Sequence, residues 1–134
     1  MRAGLTLAPS VLLMTLERQA MGKSGEDLAV AELERRGYAI LARRYRTDRG
    51  EIDIVAQDGE TLVFVEVKAR ATAEFGTAAE AVTRRKQLQV IAMARVYLTF
   101  ERVKDVPCRF DVVAIDGVGE RAVVTVYAGA FEVA

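Results

Sequence analysis

Residues 50–70 read GEIDIVAQDGETLVFVEVKAR, and the fold depends on how this stretch pairs with itself. Two alternating runs rich in β-branched residues flank Asp58-Gly59, which predicts a hairpin with strands Gly50–Gln57 and Glu60–Ala69. Successive side chains of a strand point to opposite faces. Ile52, Ile54 and Ala56 are therefore expected on one face of the first strand, with Glu51 and Asp53 on the other. On the second strand Val63, Val65 and Val67 make one face, and Leu62, Phe64, Glu66 and Lys68 the other. Loop length sets the register. A two-residue loop puts Asp53 opposite Phe64 and diagonal to Glu66, whereas a four-residue loop puts it directly opposite Glu66. In both cases the two carboxylates stand roughly 5–8 Å apart at Cβ, within reach of one ion. Lys68 follows two residues along the same face.

A solvated face with mixed charges is the ordinary setting for such a group, and a Glu66–Lys68 pair there contributes little. Leu62 and Phe64 share that face, which argues that it is partly covered. Covered carboxylates need a cation, because an unpaired buried charge is costly. The hairpin thus admits both an exposed charged face and a metal site.

The remaining chain bounds the choice. Its 134 residues suit one domain with a real core, and a hydrophobic share of 51% with 28% charged is globular composition. The single cysteine, Cys108, excludes an internal disulfide framework, fits a reducing compartment and reads as a core filler, so a cytoplasmic location is expected. No run reaches membrane-spanning length, and no membrane partner is expected. Histidine is absent, which removes Ser-His and Cys-His nucleophile systems and most zinc sites. Nineteen basic residues balance nineteen acidic ones, which counts against a nucleic-acid partner. Their distribution weakens the objection: Arg35, Arg36, Arg43, Arg44, Arg46 and Arg49 precede the hairpin, and Arg84, Arg85 and Lys86 follow it.

In chain order, residues 1–20 carry Arg2 and a short apolar run, Leu5–Leu16, without a signal-peptide cleavage context; they read as a loose or short helical extension capped by Ser10. Met14 and Met21 are alternative starts, and residues 21–134 form the domain. Ser24 caps a helix reaching about Arg36, with Glu26 and Asp27 at its positive end and Gly37 as its stop. Tyr38–Arg46 is a strand, and Ala71–Ala81 a surface loop. Thr83 caps a helix over Arg84–Phe100 whose apolar rows run through Leu88, Ile91, Ala92, Arg95 and Leu98, widened by Val90, Ala94 and Tyr97. Strands Arg109–Ile115 and Arg121–Tyr127 follow, joined by a turn at Asp116-Gly117 to Glu120. Helix, three strands, helix and two strands predict an α/β domain, a mixed sheet between helices. Asp111, between Phe110 and Val112, shares a face with Arg109 and reads as structural.

Asp53 followed after twelve residues by Glu66-Val67-Lys68, across strand–turn–strand, resembles the PD-(D/E)xK nucleases. Those include restriction endonucleases and Holliday-junction resolvases. Over most of Ser24–Val113 the chain resembles more closely the YraN family of bacterial proteins, through Gly25–Ala29, Gly37-Tyr38, Arg46–Ala56, Val63–Arg70, Phe75-Gly76 and Arg109–Val113. Where the motif has proline, this chain has Ile52. The resemblance implies a restriction-endonuclease-like fold. It implies Asp53 and Glu66 as metal ligands, Lys68 as the catalytic lysine, and Glu26 as a further carboxylate of the site. Position alone makes Glu26 a helix-dipole acid.

Phosphodiester cleavage needs a hard cation on oxygen ligands, which suits Mg²⁺ or Mn²⁺. Nucleic acid, in the first place DNA that is branched or single-stranded, is the implied substrate, with Arg46, Arg70, Lys86 and Gln87 as candidate contacts and a two-fold homodimer as the implied assembly. As bland residues, Lys86 and Gln87 open a solvated helix and the arginines line a solvated face. A binding module on the same fold without turnover, and a structural subunit, are the alternative functions.

Overall fold

The computed structural model describes residues 25–71 and 78–133. The expected N-terminal extension at 1–20 and the Ser24 cap lie outside the described residues, as does most of the expected loop Ala71–Ala81. The part of that loop that is described, Ala78–Ala81, is a turn of helix rather than irregular chain.

Helix α1 covers residues 25–35. It buries Ala29 and Leu33 completely, and Gly37, with φ of 91°, supplies the left-handed turn into the first strand. The strands are β1 (Ala39–Thr47), β2 (Gly50–Asp58), β3 (Thr61–Arg70), β4 (Cys108–Asp116) and β5 (Val123–Phe131), with α2 (Ala78–Ala81) and α3 (Arg84–Phe100) between β3 and β4. They form one sheet in the order β1-β2-β3-β4-β5. Every neighbouring pair is antiparallel except β3 and β4, which are parallel. A parallel pair cannot be joined by a tight turn, and α3 is the crossover that makes it possible.

Each face of the sheet has its own core. On one, α3 packs Val90, Ile91, Met93, Ala94 and Tyr97 against Val55, Leu62, Phe64, Phe110 and Val112. Rings run across this face from Tyr45 through Tyr97, Phe64 and Phe110 to Phe131, with centroids 5.1–5.8 Å apart. On the other face α1 packs Ala29 and Leu33 against Ile54, Ala56, Val63, Val65 and Val113. Leu62 and Phe64 are thus covered, as their shared face implied.

Two expectations are corrected. The buried stripe of α3 passes through Val90, Met93, Ala94 and Tyr97, while Leu88, Ala92 and Arg95 point outward. Both stripes have helical spacing, and the one carrying the larger aromatic and thioether volume wins the core. Cys108 is exposed rather than a core filler; it opens β4, opposite Leu62. No helix among the described residues is long and apolar enough to cross a membrane.

Candidate functional site

The hairpin turns at Gly59-Glu60, because Asp58 pairs with Thr61 and Gln57 with Leu62. Gly59 takes a φ of 61°, which glycine adopts without strain. This register is the one that sets Asp53 level with Glu66. The β2–β3 ladder nevertheless stops at Ile54–Val65, one step short of the carboxylates.

Side-chain alternation breaks at the same level. Ile52 joins the α3 core while Ile54 and Ala56 join the α1 core, so the expectation that all three share a face is wrong. On β1 the step from Arg43, paired with Ile54, to Tyr45, paired with Ile52, passes through Arg44 at a φ of 53°. A left-handed non-glycine residue costs about 1–2 kcal/mol; here it lets Arg43 and Arg44 both reach Glu26 and rolls Tyr45 onto α3. Two strands turn over together, and the gap they leave beside β3 is where Asp53 sits.

In that gap Asp53 Oδ2 accepts a hydrogen bond from the backbone N–H of Val67 at 2.8 Å. The side chain thereby replaces the ladder bond that the separating strand no longer supplies. Glu66 is 8% exposed. Its Oε2 lies 3.8 Å from Lys86 Nζ at the start of α3, and its Oε1 is buried with no hydrogen-bond donor. The charge of Asp53 bears directly on Glu66. Burial raises both, and Glu66, pushed further by the charge of Asp53 against the pull of Lys86, reaches about 7. Lys68 also lowers the Glu66 value, which matches its place on the same face, opposite Ala114 of the α3-side core.

The other predicted residues are disposed differently. Glu26 has both oxygens taken, Oε1 by Arg43 and Oε2 by Arg44, each at 2.8 Å. Burial alone would raise its pKa, but the bonds from Arg44 and Arg43 outweigh burial and hold it below the ordinary value. Arg46 pairs with Glu51 across the β1–β2 turn at 2.9 Å. Arg70, 14% exposed, pairs with Asp116 at 2.8 Å. Gln87 is spent on the start of α3, donating to the Val82 carbonyl and accepting from Arg84. Of the four candidate substrate contacts, only Lys86 is brought to the carboxylates.

Gln89 was missed. It accepts from Lys86 Nζ at 3.3 Å and packs so closely on Gly50 that a Cβ there would lie 2.8 Å from Gln89 Nε2. Its position three residues after Lys86, on the same helix row, was the available signal. Asp111 is structural, as expected: fully buried, it accepts from Tyr38, from Arg109 and from the Gly129 N–H at the β4–β5 bulge. That network lifts the Tyr38 phenol to about 12, through burial first and the Asp111 charge second.

Among the described residues no group of three or more His, Cys, Asp or Glu side chains converges as a ligand set. A buried carboxylate with a donorless oxygen beside a half-buried one matches the needs of a small hard cation. Mg²⁺ commonly takes one or two carboxylates and keeps water in its remaining positions. The donor set suits Mg²⁺ or Mn²⁺ and lacks the nitrogen and sulfur ligands of most zinc sites.

The profile of the uncharacterised protein family UPF0102 matches residues 25–115, which include every residue of this site. Relatives named UPF0102 protein are similar over most of their length. One from Prosthecochloris aestuarii is 50% identical over 76% of this chain and 80% of its own. Another from Geobacter metallireducens is 45% identical over 90% of this chain and 99% of its own. A third, from Geobacter sulfurreducens, is 54% identical over 71% of this chain and 74% of its own.

Proposed function

The chain belongs to the uncharacterised protein family UPF0102, and for this member we propose a metal-dependent nuclease that hydrolyses phosphodiester bonds of nucleic acid. The observation that carries the reading is the buried, donorless Oε1 of Glu66 beside Asp53, in a gap where two strands part. A protein does not hold a buried carboxylate beside a half-buried one without a positive counterpart at little cost. Among the described residues Lys86 pairs with the other Glu66 oxygen at 3.8 Å, and Lys68 acts on Glu66 through its charge.

Asp53 and Glu66 would hold Mg²⁺ or Mn²⁺. When bound there, the ion would polarise the phosphoryl oxygen and supply an activated water for in-line attack. Val67 N–H fixes one oxygen of the Asp53 carboxylate, which leaves the other for the ion. Lys68 orients the attacking water or offsets the negative charge that develops on the phosphoryl group. Lys86, released from Glu66 once that charge is met, would take a phosphate oxygen. Glu26 joins as a third carboxylate only after letting go of Arg43 and Arg44.

The test is a cleavage screen with Mg²⁺ or Mn²⁺ across duplex, flap, junction and single-stranded DNA. Nicking that needs the metal and disappears in Asp53→Ala and Lys68→Ala supports the reading. One observation favours a second: with Glu26 engaged by two arginines, the pair has two carboxylates rather than three, which also suits a module that binds nucleic acid without cutting it. Such a module shows salt-dependent binding, no product, and indifference to Lys68→Ala.

A further inference from the structure

Most cations of the α1 side are spent on neighbouring carboxylates. Arg35 and Arg36 pair with Glu32, and Arg43 and Arg44 with Glu26. Along the outer side of α3 the opposite holds. Three grooves follow one another there. The first, about 370 Å³, is lined by Thr83, Arg85, Lys86 and Gln89, next to Glu66. The second, about 670 Å³, lies between the β1–β2 turn and α3, and Arg49, Arg95 and Phe100 are among its walls. The third, about 590 Å³, shares Thr99 with the second and adds Arg102 and Lys104. Gln89 joins the first groove to the second, because it packs on Gly50, the neighbour of Arg49.

Six cations line this path against one carboxylate, Asp48. Five of them, Arg49, Arg85, Arg95, Arg102 and Lys104, make no ion pair among the described residues. Phe100 is 71% exposed beside them. A ring left in water at the edge of a basic groove offers a face for stacking, and stacking needs bases that are not enclosed in a duplex. From Arg85 to Thr99 the helix rises about 20 Å at 1.5 Å per residue, long enough to lie along several phosphates of one strand.

We propose that the outer face of α3, with the Thr47–Arg49 turn, is a track for single-stranded nucleic acid leading away from the Asp53–Glu66 pair. Arg49, Arg95, Arg102 and Lys104 contact phosphates, and Phe100 stacks on a base. The proposal rests on the nucleic-acid reading above for its ligand class, but it is carried by cations that take no part in the carboxylate pair. It also answers the zero net charge: the chain is neutral in sum while its α3 side is basic.

The experiment is fluorescence anisotropy in EDTA with a labelled oligothymidylate of about 12 nucleotides, within the range bound by single-strand grooves, and with a duplex of equal length. The double variant Arg49→Ala/Arg95→Ala should bind the single strand at least about tenfold more weakly. Its salt slope should fall by about 1.4, at 0.7 per lost phosphate contact. Phe100→Ala should weaken the single strand and leave the duplex alone. Arg35→Ala/Arg36→Ala, on the α1 side, should bind as wild type. Arg95→Glu, a single exposed change, reads the same loss should the double variant fail to fold. Wild-type affinity in Arg49→Ala/Arg95→Ala, an equal loss in Arg35→Ala/Arg36→Ala, or no binding by the wild-type protein at low salt overturns the track. Cleavage that survives loss of the track residues would contradict the track and leave the carboxylate reading standing. Binding through the track with no cleavage under any divalent metal would do the reverse.

Discussion

The two faces of the sheet handle charge in opposite ways. Beneath α1, Asp111 is fully buried and yet satisfied, by Arg109 at 2.9 Å, Tyr38 at 3.0 Å and the Gly129 N–H at 2.9 Å. Beneath α3, Glu66 is nearly as buried and keeps an oxygen with no donor. One carboxylate closes a bulge and ties three elements together. The other sits in a gap and stays incomplete. The difference teaches that burial alone does not say whether an acid is satisfied; the count of donors does.

Breaking the structural acid should have the largest effect. Asp111→Ala leaves the Gly129 N–H and the Tyr38 hydroxyl without their acceptor and Arg109 with Asp58 as its remaining carboxylate, and should cost about 3 kcal/mol in urea unfolding. Asp53→Asn should cost less than about 1 kcal/mol, because an amide can still accept from Val67 while the like-charge contact with Glu66 is gone. Equal losses in the two variants would erase the distinction.

An intermediate effect is expected from Glu66 and pH. Its folded pKa, about 7, lies above the ordinary 4.5, so the folded protein holds more protons than the unfolded chain between these values. Stability from this group is therefore present at low pH and falls as pH rises through that window. Glu66→Gln should be more stable than wild type by about 1–2 kcal/mol at pH 8, with the gap closing toward pH 5, in paired thermal melts. A constant difference across pH would mean that Glu66 is not under electrostatic pressure.

The smallest effect belongs to the exposed arginines of the α1 side. Arg43→Ala should cost no more than about 1 kcal/mol, as exposed pairs do. The Glu26 pKa is depressed by Arg44 and Arg43 against burial, so its contribution is present above 4.5 and lost as pH falls. Arg43→Ala should accordingly flatten the acid limb of the stability curve. A loss several times larger would move Glu26 into the same class as Asp111.

Much of this arrangement can be read from residues 50–70. The hairpin and the shared face of Glu66 and Lys68 follow from strand alternation and one turn, and both loop lengths considered bring Asp53 near Glu66. What alternation cannot deliver is its own failure. Ile52 crosses to the α3 core because Arg44, on a neighbouring strand, adopts a left-handed conformation, and no local pattern announces that. Glu26 looks free at a helix start, but its partners lie 17 and 18 residues away on β1. The α3 stripe was misjudged by about one row, since Leu88 and Val90 fit helical spacing equally well and only the aromatic floor of Tyr45, Phe64 and Phe110 selects Val90. Residues whose roles depend on nearest neighbours were readable; those set by a distant strand were not.

Carbon-13 NMR titration of the Glu66 carboxyl, without and with Mg²⁺, tests the central claim most directly. The account predicts a midpoint near 7 in metal-free protein and a fall below the ordinary 4.5 once Mg²⁺ is present, as the cation stabilises the charged form. A midpoint close to 4.5 that Mg²⁺ does not move would contradict it.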